Sequence, residues 1–249
     1  MKKKIRADEL LLLQELVESR TKAQACILAG QVKWKDEKIL KSSQMLPIDA
    51  KLALDTPMPY VGRGGLKMEN FLQESGWPVL NVNFLDLGAS TGGFTDCLLQ
   101  KGARSATCVD VGRGQLHYKL RTDPRVTNLE KANLRSLKIQ DLPFSHYSLV
   151  VMDLSFISLR KVLIEAWNFV ENPGRLTALV KPQFECRKEE ADVGRGIIKD
   201  PTIHQRVINE VKQFAEDKLP GSKLLIETMA TPSGTDGNLE FFLGWEKNI

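Results

Sequence analysis

The sequence predicts an α/β fold: a seven-stranded sheet with helices on both faces, preceded by a small α+β module. Three observations carry this. Short apolar runs suited to strands buried on both faces alternate with helical apolar stripes. One such run, Phe84-Leu85-Asp86-Leu87, opens directly into a glycine turn and a helix start, the arrangement of a ligand site at the carboxyl end of a parallel strand. The excess positive charge is confined to the first fifth of the chain: residues 1–51 hold 11 Lys/Arg against 7 Asp/Glu, whereas residues 52–249 hold 24 of each.

The 249 residues divide into an N-terminal module, 1–54, a linker, 55–65, and a second domain, 66–249. In the module, Asp8 or its neighbour is placed to cap a first helix carrying Leu12, Leu13, Leu16 and Val17. Ser19 caps a second, with Ala23, Cys26 and Ile27 inward and Gly30 ending it. Arg20 and Lys22 fall in its first turn, where cations oppose the helix dipole unless the N-terminus faces phosphate. Val32 and Trp34 alternate with Lys33 and Lys35, and Asp36-Glu37 turns the chain toward Ile39 and Leu40, which makes a short ribbon. Pro57 and Pro59 mark the linker.

At the end of the linker, Gly62-Arg63-Gly64-Gly65 opens a helix that enters the second domain with Met68, Phe71 and Leu72 on one face and Lys67 off that stripe. After the strand at 84–87, Phe94, Cys97 and Leu98 form a helical stripe that Gly102 stops. Strands follow at 106–111, 125–129, 149–152 and 176–180, the first carrying Asp110 at its end and the last two followed by Asp153 and Lys181. Residues 187–196 are charged and glycine-containing and read as a mobile loop. Asp200 caps and Pro201 begins a helix with Ile203, Val207, Ile208, Val211 and Phe214 inward. Strands at 224–229 and 239–243, joined by the long link 231–238, close the sheet.

Composition excludes several classes. No apolar run approaches the ~20 residues that span a bilayer, and Leu10–Leu13 is too short for a signal segment, so a cytoplasmic protein with no membrane partner is expected. Cys26, Cys97, Cys108 and Cys186 form no C-x-x-C pair, and His117, His146 and His204 show no ligand spacing, so no metal site is indicated. The basic module beside a neutral domain points to a polyanion partner, with Arg6, Arg20, Lys22, Lys33, Lys35 and Arg63 as candidate contacts.

The glycine turn narrows the chemistry. Its spacing lacks the G-x-G-x-x-G dinucleotide fingerprint, and no Gly-Lys-Ser/Thr follows. It resembles motif I of S-adenosylmethionine (SAM)-dependent methyltransferases. By that resemblance Asp86, Gly88, Ala89, Ser90, Thr91, Gly92, Gly93 and Phe94 face the cofactor, S-adenosyl-L-methionine. Asp110, 22 positions beyond Gly88, sits at the offset where an acid meets a ribose hydroxyl, with Val111 beside it and Asn133 where an adenine rests. Lys67, Asp153, Lys181 and Glu240 lie at strand ends or beside glycine loops. Together they suit methyl transfer to a ribose hydroxyl, a poor nucleophile until a partly desolvated lysine attracts its proton.

Two resemblances complete the reading. Arg6-x-Asp8, Ser19-Arg20, Ala23, Ile27, Ala29-Gly30 and Val32 resemble the αL RNA-binding module of a small-subunit ribosomal protein and tyrosyl-tRNA synthetases, although Lys35-Asp36 replaces the usual Asn-Gly turn. Six stretches between residues 60 and 240 are similar to the TlyA family, often labelled hemolysin A, whose catalytic domain is FtsJ-like. They are Tyr60-Val61-x-Arg63-Gly64-Gly65-Leu66-Lys67, Leu85 to Asp96, Val109-Asp110-Val111-Gly112-x-Gly114-Gln115-Leu116, Asp153 to Leu159, Val180 to Glu185 and Gly237-Asn238-Leu239-Glu240. The resemblance implies a Rossmann-like SAM-dependent methyltransferase sheet, a ribosomal RNA or ribosomal-subunit substrate, and a Lys67–Asp153–Lys181–Glu240 tetrad. Glu185 is the alternative fourth member, and Gly62 stands where the family usually has Ser. The competing readings are a pore-forming haemolysin, which lacks support in spanning helices or amphipathic hairpins, and a non-catalytic ribosome-binding protein.

Overall fold

The computed structural model describes residues 3–55, 58–234 and 237–248. Its chain forms two compact units, Met1–Met58 and Pro59–Ile249. Thr56 and Pro57 of the expected linker, and Thr235 and Asp236 of the expected 231–238 link, lie outside the described residues.

The N-terminal unit contains β1 (Lys4–Arg6), α1 (Ala7–Leu13), α2 (Arg20–Leu28), β2 (Val32–Trp34), β3 (Glu37–Lys38), β4 (Met45–Pro47) and β5 (Ala53–Leu54). Ser19 caps α2 by accepting the Lys22 amide, and Ala23, Cys26 and Ile27 face inward, as the sequence predicts. The first helix differs. Pairing of β1 with β4 fixes the chain through Arg6, so Arg6 becomes the N-cap and Asp8 falls inside the first turn. The helix ends at Leu13, and Ala7, Leu10 and Leu11 enter the core while Leu13 is exposed. At the ribbon turn Lys35 and Asp36 both adopt positive φ, 52° and 66°. That is the backbone an Asn-Gly turn supplies, so β2 and β3 pair despite the changed residues.

The second unit begins with α3 (Arg63–Ser75) and continues through β6 (Asn83–Leu87), α4 (Gly93–Gln100), β7 (Ser105–Asp110), α5 (Tyr118–Arg121), β8 (Val126–Glu130), β9 (Tyr147–Met152), α6 (Leu163–Asn168), β10 (Val170–Val180), α7 (Pro182–Glu185), α8 (Lys188–Val193), α9 (Pro201–Lys218), β11 (Ser222–Met229) and β12 (Phe241–Lys247). Among the described residues these strands make a seven-stranded sheet in the order β11-β12-β10-β9-β6-β7-β8. Strands β10, β9, β6, β7 and β8 run parallel, and β12 lies antiparallel between β10 and β11.

Alternate residues of β6 and β9 face opposite sides, as strand geometry requires. Leu85, Leu87, Val150 and Met152 pack with Trp167 of α6 and Val211 of α9. Phe84 and Val151 pack with Met68 and Phe71 of α3 and Cys97 of α4. Helices therefore cover both faces, and the central parallel strands β6 and β9 bury mostly apolar side chains, Asp86 apart. Two expectations are corrected. Residues 188–193 form α8, stabilised by the Glu190 carboxylate accepting the Arg187 amide at 2.9 Å and pairing with Arg206. The last strand starts at Phe241, not Leu239, so Glu240 lies just before it and turns inward.

Candidate active site

The carboxyl ends of β6, β7, β9 and β10 converge on one edge of the sheet. Gly92 and Gly93 start α4 there, and α3 packs against that start at glycine-to-glycine distance. A Cβ on Gly93 would lie 2.8 Å from the Gly65 amide nitrogen and 3.1 Å from the Gly64 Cα. Only glycines permit this approach, and it carries Lys67, one turn along α3, toward the strand ends. Lys67 lies off the apolar stripe of α3 but not at the surface. It is buried and forms an ion pair with the buried Glu240 carboxylate.

A second pair forms between Lys181, at the end of β10, and Asp153, at the end of β9. Lys181 Nζ lies 2.6 Å from Asp153 Oδ1 and donates to Ser155 Oγ at 3.1 Å. Lys181 and Glu240 line one cavity of about 330 Å³, together with Phe156, Gln183, Phe184 and Asn238. The four ionisable residues singled out from sequence thus arrive as two ion pairs at one edge. Glu185 does not join them. Its buried carboxylate accepts the Ser158 hydroxyl at 2.7 Å and the Leu159 amide at 2.6 Å, with Arg160 3.5 Å away. Burial raises its pKa against those partners.

Beside the pairs lies a larger cavity of about 570 Å³, lined by Gly88, Ser90, Asp110, Val111, Asn133 and Asp153 among others. Asp110 organises its rim: Oδ2 accepts the Ser90 amide at 2.8 Å and Oδ1 the Gly112 amide at 2.7 Å. Ser90 reaches it from a left-handed backbone, φ 48°. Asn133 caps the following turn through the Arg135 amide at 3.0 Å. A narrower space of about 160 Å³ is lined by Asp86, Ala89, Thr91, Gly93, Phe94, Asp153 and Lys181. Gly92 is the exception among the candidates. Its Cβ position points at Leu120 and Leu116, at 2.2 and 2.8 Å, and away from both cavities, so its lack of a side chain serves the packing there.

Asp86 is fully buried, with Oδ2 accepting the Thr95 hydroxyl at 2.6 Å and Oδ1 lacking a hydrogen-bond partner. Burial pushes its pKa up to about 7, with the Asp153 and Asp110 charges adding to the effect. Sequence reasoning missed Ser155, Gln115 and Phe156. Gln115 lines the large cavity, and Phe156 lines both the large cavity and the one shared by Lys181 and Glu240. Phe156 is 90% exposed, holds φ 64° and meets Phe184 with ring centroids 5.1 Å apart. The usable signal was an aromatic placed four residues past the end of a buried strand, where nothing remains to cover it.

The FtsJ-like methyltransferase family model matches residues 60–247. The chain belongs to this family. Among its relatives are a provisional rRNA methyltransferase, YqxC of Bacillus subtilis, 39% identical over 97% of this chain and 85% of that protein, and the 16S/23S rRNA (cytidine-2′-O)-methyltransferase TlyA of Mycobacterium tuberculosis, 36% identical over 98% and 90%. A solved structure from Streptococcus thermophilus, carried under a provisional hemolysin label, is 37% identical with a TM-score of 0.74 and covers 100% of this chain and 90% of that one. Among the described residues no helix is long and apolar enough to cross a membrane, and no His/Cys/Asp/Glu group is arranged to hold a metal ion.

The candidate contacts of the N-terminal unit are less free than their sequence suggests. Arg6 and Arg20 both bind Asp8, and Lys33 pairs with Asp55 at 2.7 Å. Lys35 lies 5.1 Å from the centroid of the Trp34 ring, and Lys22 is exposed. In the second unit Arg63 donates to the Ser233 carbonyl at 2.7 Å.

Proposed function

We infer that this protein transfers the methyl group of S-adenosylmethionine to a ribose 2′-hydroxyl of ribosomal RNA in the cytoplasm. The observation that carries the reading is the pair of ion pairs, Lys67–Glu240 and Lys181–Asp153, at the edge where the glycine loop and both cavities open. The residues fit the cofactor. A wide, mostly apolar cavity suits an adenosine, with Asp110 toward the ribose hydroxyls and Val111 and Asn133 toward the base. The narrow polar space beside it suits the amino-acid end, with Ser90 and Thr91 at its wall and the unpartnered Asp86 Oδ1 beneath.

Bound there, the cofactor supplies an electrophilic methyl group. The rest falls to the chain. Lys181, once its own proton has been released to solvent, accepts the proton of the ribose hydroxyl as the oxygen–carbon bond forms and the methyl–sulfur bond breaks, and Asp153 and Ser155 hold the resulting ammonium in place. Glu240, which lines the same cavity as Lys181, holds the second lysine, Lys67, by their ion pair. Holding the oxygen in line with the methyl group gives much of the acceleration. The N-terminal unit, residues 1–54 by composition, adds phosphate contacts that position the RNA without selecting a base.

The test is transfer of labelled methyl groups from S-adenosylmethionine to purified ribosomal subunits. Label in ribose 2′-O-methyl nucleosides supports the reading. Absence of transfer, together with dye release from lipid vesicles, would favour the haemolysin alternative.

A further inference from the structure

Asp8 sits in the first turn of α1 with no exposed side-chain surface. It accepts from Arg6 Nε and Nη2 at 2.9 Å each and from Arg20 Nε at 3.1 Å. Gln24 Nε2 adds a hydrogen bond at 3.1 Å and the Glu9 amide another at 3.2 Å. Joining α1 to α2 needs only Gln24 and one arginine. Holding two guanidiniums on one carboxylate does more. It brings two like charges together and removes rotamer freedom from two long side chains before any ligand arrives.

Each guanidinium offers five N–H groups, and Asp8 takes three from the pair, so most remain. Arg6 and Arg20 keep 34% and 51% of their side-chain surface exposed. Glu9 balances the remaining charge loosely. Its carboxylate stands 3.9 Å from Arg6 and 3.5 Å from Arg20, beyond hydrogen-bond range for the first and at its limit for the second. A phosphodiester is likewise an anion, and its two free oxygens can take bidentate contacts from arginine in place of that loose carboxylate.

We propose that Asp8 is a positioning residue for RNA, presenting Arg6 and Arg20 as a fixed pair that grips one backbone phosphate, with Glu9 as the exchangeable anion that the phosphate displaces. This rests on the reading of the N-terminal unit as an RNA-binding module. Two adjacent carboxylates then have opposite roles. Removing either negative charge would, by net charge alone, tighten binding to RNA. Preorganisation separates them: freeing two arginines costs ordering entropy on binding, whereas removing Glu9 only clears the site.

The experiment measures affinity of the intact protein for in vitro transcribed 16S ribosomal RNA at several salt concentrations. Asp8→Asn should weaken binding about tenfold, and Glu9→Gln should tighten it about threefold. Thermal unfolding confirms that each variant is folded. Should Asp8→Asn unfold, Arg6→Lys with Arg20→Lys keeps Asp8 and the formal charge, and it should weaken binding to a similar extent because Lys lacks the planar fork. Tighter binding by both carboxylate variants overturns the proposal, as does unchanged affinity in the double-lysine variant. If Arg6→Ala with Arg20→Ala weakens binding while Asp8→Asn does not, the module still binds RNA and only the role of Asp8 falls. If the double-alanine variant binds normally, the RNA reading of the module falls with it.

Discussion

Replacing Asp86 by Asn should make the folded protein more stable at neutral and alkaline pH. Asp86 is buried in β6, one oxygen accepting the Thr95 hydroxyl and the other unpartnered. Burial raises its pKa from 3.8 to about 7, so the folded state keeps a proton over a range in which the unfolded chain has released it. With more protons bound in the folded state, stability falls as pH rises from about 4 to about 7 and stays at the lower level above that. A displacement of about three units corresponds to roughly 4 kcal/mol, an upper figure because relaxation and water entry reduce such penalties. Asn keeps an acceptor for Thr95 and removes the titration. At pH 8 the variant should therefore exceed the parent by ~1–4 kcal/mol, and the two should converge as the pH approaches 4. Chemical denaturation at a series of pH values measures the gap. Equal stability at pH 8, or a gap that does not narrow on acidification, would refute the reasoning.

Three further outcomes follow from the same geometry. Lys181→Ala should reduce methyl transfer by at least ~100-fold while calorimetry still detects S-adenosylmethionine binding. Lys181→Arg should fail as well, since guanidinium keeps its proton, and near-normal turnover in that variant would show that no lysine base is needed. Gly92→Val should destabilise the protein by ~2–4 kcal/mol, because the new Cβ meets Leu120 and Leu116 and the backbone holds φ 93°; an unchanged melting temperature with lost cofactor affinity would return Gly92 to the cavity wall. A fragment spanning residues 59–249 should keep cofactor binding but bind ribosomal RNA more weakly and with a shallower salt dependence; identical affinity and slope would show that the N-terminal unit is not the anchor.

What the sequence displays and what it hides follow from distance along the chain. The turn from Leu87 to Phe94 is local: an apolar strand, positive-φ glycines and a helical stripe are adjacent, so the element and its ligand-facing edge are both legible. The ion pairs join residues far apart, Lys67 with Glu240 and Lys181 with Asp153, and only their positions at element ends, with the family resemblance, brought them together. The helical stripe counts apolar residues and so does not display the burial of Lys67, which follows from the close approach of Gly64 and Gly65 to Gly93 on that flank of α3. Strands β1 and β4 are three residues each, too short for alternation to register, and their pairing moved the start of α1 and its inward face. The side on which Gly92 is crowded was not legible, because a glycine permits close approach on whichever side the fold requires and periodicity does not say which.

The most direct test of the central claim is to map ribose 2′-O-methylation across ribosomal RNA, by resistance to alkaline hydrolysis, in cells carrying the protein, lacking it, or carrying Lys181→Ala. The account predicts at least one resistant ribose present only with the unaltered protein and absent in both other cases. Identical methylation patterns in all three would contradict it.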